Sequence, residues 1–432
     1  METTSHNLIG RQLIFSMRNN FMFYTMKEIE ISAPLPTLSV EEGGSGVALL
    51  LRHEGRPVGF CMEPLKDKSV VTPQELAVKI KENTNINFRN NKGEREKPQR
   101  SKRIALPSLT IAVCTNDRPE ILWRCLNSVK NLPHVALNET VTLDILVVDN
   151  APSSDKTQEV VSSLDGVRYV CEPKPGLNFA RNRALSESGG DLLAFLDDDV
   201  TVDHYWLTGL MEAWAENQDA GGYTGLVMPY ELSTEAQIIF ERGGGFRKGF
   251  NPIRFSPNSA INRFYPCDAG IFGVGANMAF PRNILQKLGG FDEALDTGSH
   301  LPGGGDLDIF YRIIRSGHAL VYKPDYMVFH QHRRELAELR KQYGKSWGTG
   351  YMAFVEKCYR TDPSQRAKLH RLIVWWFMRL LWQFQKSLTG KHPLPPRVIL
   401  SQLRGGLVGL LGGYSRSTKR LKQVREKFAY GP

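Results

Sequence analysis

The 432-residue sequence predicts an α/β protein built on a doubly wound, mostly parallel β-sheet. Short apolar runs alternate with amphipathic helical segments between residues 109 and 196, and this alternation is typical of βαβ units. One run, residues 192–196, is apolar along its whole length, as expected for a strand buried on both faces. It passes directly into Asp197, Asp198 and Asp199. Ligands of open α/β sheets bind beyond the carboxyl ends of the strands, so this segment also indicates a functional site.

Each element of this region follows from its own pattern of apolar and polar residues. The predicted strands are residues 109–114, 143–148, 167–171 and 192–196. The predicted helices are residues 119–132, 157–164 and 178–188. A later, short strand is predicted at residues 319–322, and the chain is predicted to be helical after about residue 335.

The regions that flank this domain differ from it in composition. Residues 47–51 and 58–62 predict a β-hairpin, and a helix is predicted to begin at Pro73. Residues 81–104 carry eight Lys or Arg and three acids with almost no apolar residue, which predicts a flexible linker. The chain is therefore divided into a poorly organised N-terminus (1–25, with Met26 as an alternative start), a small α+β module (26–80), the linker (81–104), the α/β domain (105–335) and a helical, basic C-terminal region (336–432).

Positive charge is concentrated near the C-terminus. The net charge is +10, and residues 366–427 contribute a balance of +13 from 14 Lys or Arg and one acid. No apolar stretch reaches the ~18 residues of a transmembrane helix, and the N-terminus lacks the pattern of a signal peptide. The six cysteines show no metal-binding spacing and no disulfide framework. These features predict a cytoplasmic protein with reduced thiols.

Polar residues also follow the other predicted strands. Thr115, Asp117 and Arg118 follow the first strand, Asp149 ends the second, and Arg181 follows the third. Because the carboxyl ends of parallel strands meet at one edge, we expect these side chains to line one crevice with the three aspartates. Adjacent carboxylates repel one another unless a cation shares them, and hard oxygen ligands suit Mg²⁺ or Mn²⁺. The pattern predicts a metal site that holds a phosphate group.

Seven short motifs resemble those of family 2 glycosyltransferases, which have the GT-A fold. They span about half of the chain and lie at residues 113–119 (VCTNDRP), 147–150 (VVDN), 176–182 (GLNFARN), 195–199 (FLDDD), 275–280 (GANMAF), 289–292 (GGFD) and 303–308 (GGGDLD). The resemblance implies transfer of a sugar from a nucleotide-activated donor, usually with inversion at the anomeric carbon. It also implies roles for individual residues. The expected donor-binding residues are Thr115, Asp117, Arg118, Asp149, Arg181, Asp197 and Asp198, and the expected metal ligands are Asp199 and Asp197.

Two further residues have competing interpretations. By resemblance Asp306 is the general base, although many family members carry Glu-Asp where this chain has Gly305-Asp306; the alternative is that Asp306 only caps the following helix. His330 is a candidate third metal ligand, and the alternative is a buried structural histidine. Asp308, two residues after Asp306, is expected to be structural.

The segment 366–388 predicts a helix with a basic and aromatic face. On a helical wheel of ~100° per residue, one arc contains Lys368, Arg371, Trp375, Arg379, Trp382 and Lys386. Basic residues beside tryptophans above an apolar face are typical of a helix in a membrane interface. We therefore expect residues 366–427 to bind an anionic membrane surface, and residues 105–335 to bind donor without them. The alternative is that the apolar face packs on the α/β domain; no nucleic-acid-binding module is recognised.

Three functions are compatible with the sequence. The favoured one is an inverting glycosyltransferase that uses a nucleotide sugar, UDP-linked by preference, and a saccharide or lipid-linked acceptor at the inner face of the plasma membrane. A nucleotidyltransferase normally has a Gly-rich, basic loop after its first strand, whereas residues 115–119 contain no glycine. A non-catalytic binding or scaffold protein is disfavoured because the aspartates and Asp306 are all present.

Overall fold

The computed structural model describes residues 23–39, 44–65, 70–83, 105–298 and 300–429. Residues 1–22 of the expected poorly organised N-terminus (1–25) and residues 84–104 of the expected linker (81–104) lie outside the described residues. The remaining residues of both segments are corrected: residues 24–25 belong to a strand and residues 81–83 to a helix. The strands are β1 (Tyr24–Glu30), β2 (Leu38–Ser39), β3 (Gly46–His53), β4 (Arg56–Pro64), β5 (Val70–Val71), β6 (Leu109–Thr115), β7 (Val135–Ala136), β8 (Glu139–Thr140), β9 (Leu143–Asn150), β10 (Val167–Glu172), β11 (Leu192–Asp197), β12 (Val200–Val202), β13 (Ala220–Pro229), β14 (Ile253–Phe255), β15 (Asn277–Pro281) and β16 (Ala319–His330).

Most of the described helices lie in the second half of the chain. They are α1 (Pro73–Asn83), α2 (Pro119–Lys130), α3 (Lys156–Ser162), α4 (Leu177–Glu187), α5 (Trp206–Glu216), α6 (Glu235–Arg242), α7 (Arg282–Lys287), α8 (Gly305–Arg315), α9 (Leu336–Gly344), α10 (Tyr351–Thr361), α11 (Arg366–Leu388), α12 (Pro396–Leu410) and α13 (Gly413–Ala429). A π-helical segment, Lys345–Gly350, joins α9 to α10.

The central sheet has the strand order β10-β9-β6-β11-β15-β13-β16-β12, with β14 paired to β16. Strands β10, β9, β6 and β11 are parallel neighbours. Strand β15 is antiparallel to both β11 and β13, and β13 is parallel to β16. Strands β12 and β14 are antiparallel to β16. The predicted doubly wound, mostly parallel sheet is confirmed.

The two faces of the sheet are buried under different helices. On β6, Ile111 and Val113 face a core that contains residues of α2 and α5, whereas Ala112 and Cys114 face a core that contains residues of α4 and α8. This alternation follows from the period of two in a strand. Burial on both faces explains why the strands of the sequence are apolar without interruption.

Strand β16 is longer than predicted. The sequence predicts a strand only at 319–322 because Lys323, Pro324 and Asp325 interrupt the apolar pattern. In the structure Lys323 pairs with Glu212 at 3.4 Å, and Asp325 pairs with Arg56 at 3.0 Å. The register of β16 against β13 shifts here, between Gly225 and Val227 of β13. The two strands approach so closely that a Cβ at Gly225 would lie 1.6 Å from the backbone oxygen of Tyr326 on β16, so a larger residue does not fit.

The N-terminal module packs against the α/β domain. Strands β1, β3 and β4 form a three-stranded sheet that contains the predicted hairpin. Arg56 on β4 donates to both carboxylate oxygens of Glu212 on α5, at 2.6 and 2.7 Å. Arg52 on β3 pairs with buried Asp203, and Tyr24 on β1 bridges to Leu232. The module has its own small hydrophobic core, and these ion pairs hold it against the α/β domain.

The C-terminal helices belong to the main core. Leu369, Leu372, Trp376 and Leu380 of α11 are buried in the same cluster as Phe354 of α10. Two members of the predicted membrane-facing arc of α11 contact the domain instead: Lys368 donates to the carbonyl of Tyr265 at 2.8 Å, and Trp375 packs on Phe264. Removing residues 366–432 would expose this core, and donor binding by residues 105–335 alone stays a prediction.

The described part of the chain contains no helix that is long and apolar enough to cross a membrane.

Candidate active site

The three aspartates lie where β11 ends, next to the ends of β6 and β16. Strand β6 pairs with β11 so that Cys114 lies opposite Asp197. The short strand β12 then turns antiparallel to the end of β16, which pairs Val200 with His330. The backbone N–H of Gln331 donates to the carbonyl of Asp199 at 2.9 Å. Residues that are about 130 positions apart in sequence therefore meet because of sheet pairing.

Asp197, Asp199 and His330 form a candidate metal site. Each offers one ligand atom, and these atoms lie within 4.8 Å of one another. The Nε2 atom of His330 lies 3.3 Å from Oδ1 of Asp199. That oxygen is buried and accepts no hydrogen bond from any residue the structure describes. An oxygen-rich donor set with an unsatisfied buried carboxylate oxygen fits a divalent cation such as Mg²⁺ or Mn²⁺.

Arginines lie beside this cluster, and the three aspartates differ in the direction in which their pKa values are shifted. Arg118 pairs with Asp198 and lies 3.2 Å from Asp199, and Arg333 lies 4.0 Å from Asp199. Burial acts to raise the pKa of Asp199, but His330, Arg118 and Arg333 outweigh it and hold the pKa below its ordinary value. Burial, together with the charge of Asp199, raises the pKa of Asp197. Burial also raises the pKa of Asp198, to about 7.

The remaining donor-site candidates from the first two strands lie beside this cluster. Thr115 donates to Asp198 at 2.6 Å, so it holds the middle aspartate in place. Asp117 has a positive φ of 51° and accepts the backbone N–H of Ser153 at 2.9 Å, which ties together the loops after β6 and β9. Asp149 is fully buried and accepts from Tyr169 at 3.1 Å, and burial raises its pKa.

Arg181 is buried beneath the site, between two carboxylates. Its guanidinium lies 3.2 Å from Asp296 and 3.9 Å from Asp197, and the residue is only 4% exposed. Burial acts to lower the pKa of Arg181, but Asp296, Asp197 and Asp306 outweigh it and raise the pKa. Arg181 therefore stays charged and connects the aspartate cluster with Asp306.

Asp306 does not occupy the cap position of α8. The residue before the helix is Gly304, in a left-handed conformation with a φ of 96°. The carboxylate of Asp296 accepts the N–H groups of Gly303 and Gly305, at 2.5 and 3.0 Å, and so satisfies the first N–H of the helix. One carboxylate oxygen of Asp306 accepts the N–H of Gly275 at 3.0 Å, the other accepts the N–H of Leu307 in the first turn of α8 at 2.9 Å, and the residue remains partly exposed. Asp308 is buried and paired with Lys357 and Arg312.

Several residues of the site carry no sequence motif that identifies them. Asp296 has a positive φ of 53° and two structural tasks, yet it lies in a loop without a recognisable pattern. His332 bonds Glu241 at 2.8 Å across 91 residues of sequence, and Glu241 pairs with Arg247. Burial lowers the pKa of His330 to about 4 and that of His332 to about 3. Of these residues, only His332 lies near a predicted site residue, two positions after His330.

Comparison with known proteins identifies the family. The Glycosyl transferase family 2 model matches residues 110–289. The succinoglycan biosynthesis protein ExoM of Rhizobium meliloti (strain 1021) is 30% identical over 261 residues, which are 58% of this chain and 76% of ExoM. This chain belongs to glycosyl transferase family 2. It is therefore a glycosyltransferase, and the resemblance of its motifs is confirmed; the nucleotidyltransferase and scaffold alternatives are not supported.

Two further similarities extend the comparison. The GalNAc(5)-diNAcBac-PP-undecaprenol beta-1,3-glucosyltransferase of Campylobacter jejuni is 32% identical over 164 residues, which are 37% of this chain and 47% of that enzyme. Among solved structures, the mannosyltransferase PcManGT from Pyrobaculum calidifontis, in complex with GDP-Man and Mn²⁺, covers 77% of this chain and 85% of its own with a TM-score of 0.44 and 15% identity.

Proposed function

We propose that this glycosyltransferase transfers a sugar, with inversion at the anomeric carbon, from a UDP-sugar to a saccharide carried on a lipid-linked acceptor. The observation that carries the proposal is the cluster of Asp197, Asp199 and His330 at the end of β11, with Arg118 and Arg333 beside it. Carboxylates that share a cation, next to two arginines, suit a diphosphate leaving group.

The donor half of the reaction needs positive charge at the diphosphate. Asp197, Asp199 and His330 are the proposed ligands of Mg²⁺ or Mn²⁺, which supplies that charge when it is bound. The guanidinium groups of Arg118 and Arg333 contribute further charge as the nucleoside diphosphate leaves. The nucleobase and ribose are assigned to the ends of β6 and β9, where Thr115, Asp117 and Asp149 lie beside Asp198.

The acceptor half needs a base on the opposite side of the sugar. Asp306 is partly exposed, accepts the N–H of Gly275, and is connected to the cluster through Arg181. We assign to it removal of the proton from the acceptor hydroxyl, which then attacks the anomeric carbon. A single displacement of this kind inverts the configuration. A Cβ at Gly275 would lie 3.1 to 3.2 Å from the Asp306 carboxyl group and Arg181. Glycine at this position therefore lets the backbone approach Asp306 and Arg181 closely enough for the hydrogen bond.

The proposed acceptor class rests on two observations. The similar Campylobacter enzyme carries an undecaprenol-linked substrate in its name. In this chain, α11 presents a second apolar stripe to solvent: Val374, Met378, Leu381 and Trp382 are 47 to 62% exposed. Lys386 lies over the ring of Trp382, at 4.0 Å from its centroid. Exposed apolar residues beside basic ones fit a helix that rests on an anionic membrane, where lipid-linked acceptors are found.

A screen of nucleotide sugars tests the proposal. The full chain is incubated with UDP-, GDP- and other nucleotide-linked sugars and Mn²⁺, and release of the nucleoside diphosphate is measured. We expect slow hydrolysis of one UDP-sugar, and none by the Asp199→Asn variant. Hydrolysis restricted to another nucleotide would replace the UDP assignment, and hydrolysis that persists in EDTA would contradict the metal site.

A further inference from the structure

The candidate metal ligand His330 is part of a buried chain of polar groups that leads away from the metal site. Its Nε2 atom faces Asp199 at 3.3 Å, and its Nδ1 atom lies 3.0 Å from Nδ1 of His332. The Nε2 atom of His332 lies 2.8 Å from Oε1 of Glu241, and Glu241 pairs with Arg247. The chain therefore runs Asp199, His330, His332, Glu241, Arg247.

The direction of each hydrogen bond in this chain follows from its ends. Arg247 can only donate, so Glu241 acts as a carboxylate acceptor on that side. A carboxylate also accepts from its other neighbour, so Nε2 of His332 carries a hydrogen. A neutral His332 then has a bare Nδ1, and that atom can only accept. Consequently Nδ1 of His330 carries the hydrogen, and Nε2 of His330 keeps the lone pair that a metal ligand needs.

Burial shields these hydrogen bonds from water, so water does not change which group donates and which accepts. His332 is 3% exposed, His330 is 8% exposed and Glu241 is 2% exposed. Phe246 packs edge-on against both imidazole rings, at 5.2 and 5.6 Å between centroids, and Phe240 packs against His332 at 4.7 Å. Because the two rings are shielded from water, their hydrogen-bond partners are the neighbouring groups of this polar chain. An unpaired polar group here would cost free energy.

We propose that Glu241 and His332 are positioning residues that hold His330 in its Nδ1–H tautomer, so that Nε2 is directed at the divalent cation shared by Asp197 and Asp199. This inference rests on the metal site of the proposed function. It adds to that site two residues which touch neither metal nor donor.

The Glu241→Gln variant tests the proposal with a nearly isosteric change. Arg247 can only donate, so the carbonyl oxygen of the new amide must face Arg247 and its NH₂ group must face His332. Nε2 of His332 must then accept, its hydrogen moves to Nδ1, and His330 is left with its hydrogen on Nε2, pointing into the metal site. We expect the affinity for Mn²⁺, measured by titration calorimetry or EPR without donor, to fall about 10- to 100-fold.

The matched control is Glu212→Gln. Glu212 is also a buried glutamate paired with an arginine, but it lies between α5 and the N-terminal module. The control accounts for the loss of a buried carboxylate–arginine pair, and its Mn²⁺ affinity should equal that of the wild type. The Asp199→Asn variant should lose Mn²⁺ binding. Thermal melting of each variant shows whether it remains folded.

A second measurement does not depend on any variant. Long-range ¹H–¹⁵N correlation spectra of the ¹⁵N-histidine-labelled protein report the tautomer of each neutral imidazole. We expect His330 to carry its hydrogen on Nδ1 and His332 on Nε2 in the wild type. The reverse tautomers, or a Glu241→Gln variant that binds Mn²⁺ as tightly as the wild type, would overturn the positioning role. If the wild type binds no Mn²⁺, the metal site itself fails and the role fails with it.

Discussion

The three adjacent aspartates after β11 have three different environments. The side chain of Asp198 is fully buried, that of Asp199 is 7% exposed and that of Asp197 is 34% exposed. Asp198 is held by Thr115 and Arg118, whereas Asp197 and Asp199 point toward His330. The middle residue therefore organises the strand end, and the outer two are left to share a cation.

Asp306 and Asp308 are separated by one residue but should respond in opposite ways to removal of their charge. Asp306→Asn should lower turnover by about 10²- to 10⁴-fold, the usual contribution of a general base. Its affinity for donor and its thermal stability should change little, because the carboxylate is partly exposed and acts on the acceptor. Turnover with a lipid-linked or synthetic acceptor, beside UDP binding, measures the difference.

The Asp308→Asn variant is the matched control. It removes the buried partner of Lys357 and Arg312, so it should destabilise the fold by about 3 kcal/mol while the folded fraction keeps its activity. Near-normal turnover of Asp306→Asn would reduce Asp306 to a structural residue.

Sequence patterns identify only part of this site. Residues that follow apolar strands, such as Asp149 and the three aspartates, are found because strand ends meet at one edge of the sheet. Asp296 and Glu241 come from loop and helix positions whose partners are distant in sequence, so no local pattern reveals them. Their roles depend on tertiary contacts alone.

At the scale of single elements, strand β16 and helix α5 join the N-terminal module to the site. The charges that shorten the predicted strand, Lys323 and Asp325, are paired with Glu212 and Arg56. The same strand continues to His330. The hairpin and the helix of the module were predictable from local patterns, whereas these ion pairs were not, since each partner is unremarkable in sequence.

The Glu212–Arg56 pair should make the stability of this junction depend on pH. Burial acts to raise the pKa of Glu212, but Arg56 and Lys323 outweigh it and lower the pKa below its ordinary value of 4.5. Below that pH the unfolded state binds more protons than the folded state, so stabilisation by the pair is lost as the pH falls. Glu212→Gln should cost about 1 to 3 kcal/mol at pH 7.

Urea denaturation at several pH values measures this difference. The gap in unfolding free energy between wild type and variant should shrink below about pH 4.5, where Glu212 of the unfolded wild type binds a proton that the folded state does not yet bind. A gap that stays constant down to pH 3 would show that the charge of Glu212 contributes nothing.

The exposed stripe of α11 should bind anionic vesicles. Met378→Glu combined with Trp382→Glu places two acids among exposed apolar residues and should weaken co-sedimentation with vesicles at least tenfold. Binding by the wild type should fall with rising salt, because the basic residues of the segment are screened. Trp123→Glu is the control: Trp123 is 52% exposed but lies on α2. Equal binding by all three proteins would contradict the membrane role of α11.

At the scale of the whole molecule, the fold class was predictable and the place of the C-terminal helices was not. Alternation of apolar strands and helices fixes a doubly wound sheet, but an amphipathic helix looks the same whether its apolar face meets protein or lipid. Helix α11 has a buried face with Leu372 and Trp376 and a solvent-exposed apolar stripe with Met378 and Trp382. The basic residues of α11 predict a helix that faces a membrane, whereas its packing makes it part of the protein core.

Binding of UDP to the full chain, measured by calorimetry with Mn²⁺ and with EDTA, tests the metal-dependent donor site most directly. We expect wild-type affinity to be at least tenfold higher with Mn²⁺, and the Asp199→Asn variant to show no gain from the metal, because its strand end remains folded but lacks one ligand charge. Equal affinity of the wild type in Mn²⁺ and EDTA would contradict the role assigned to Asp197, Asp199 and His330.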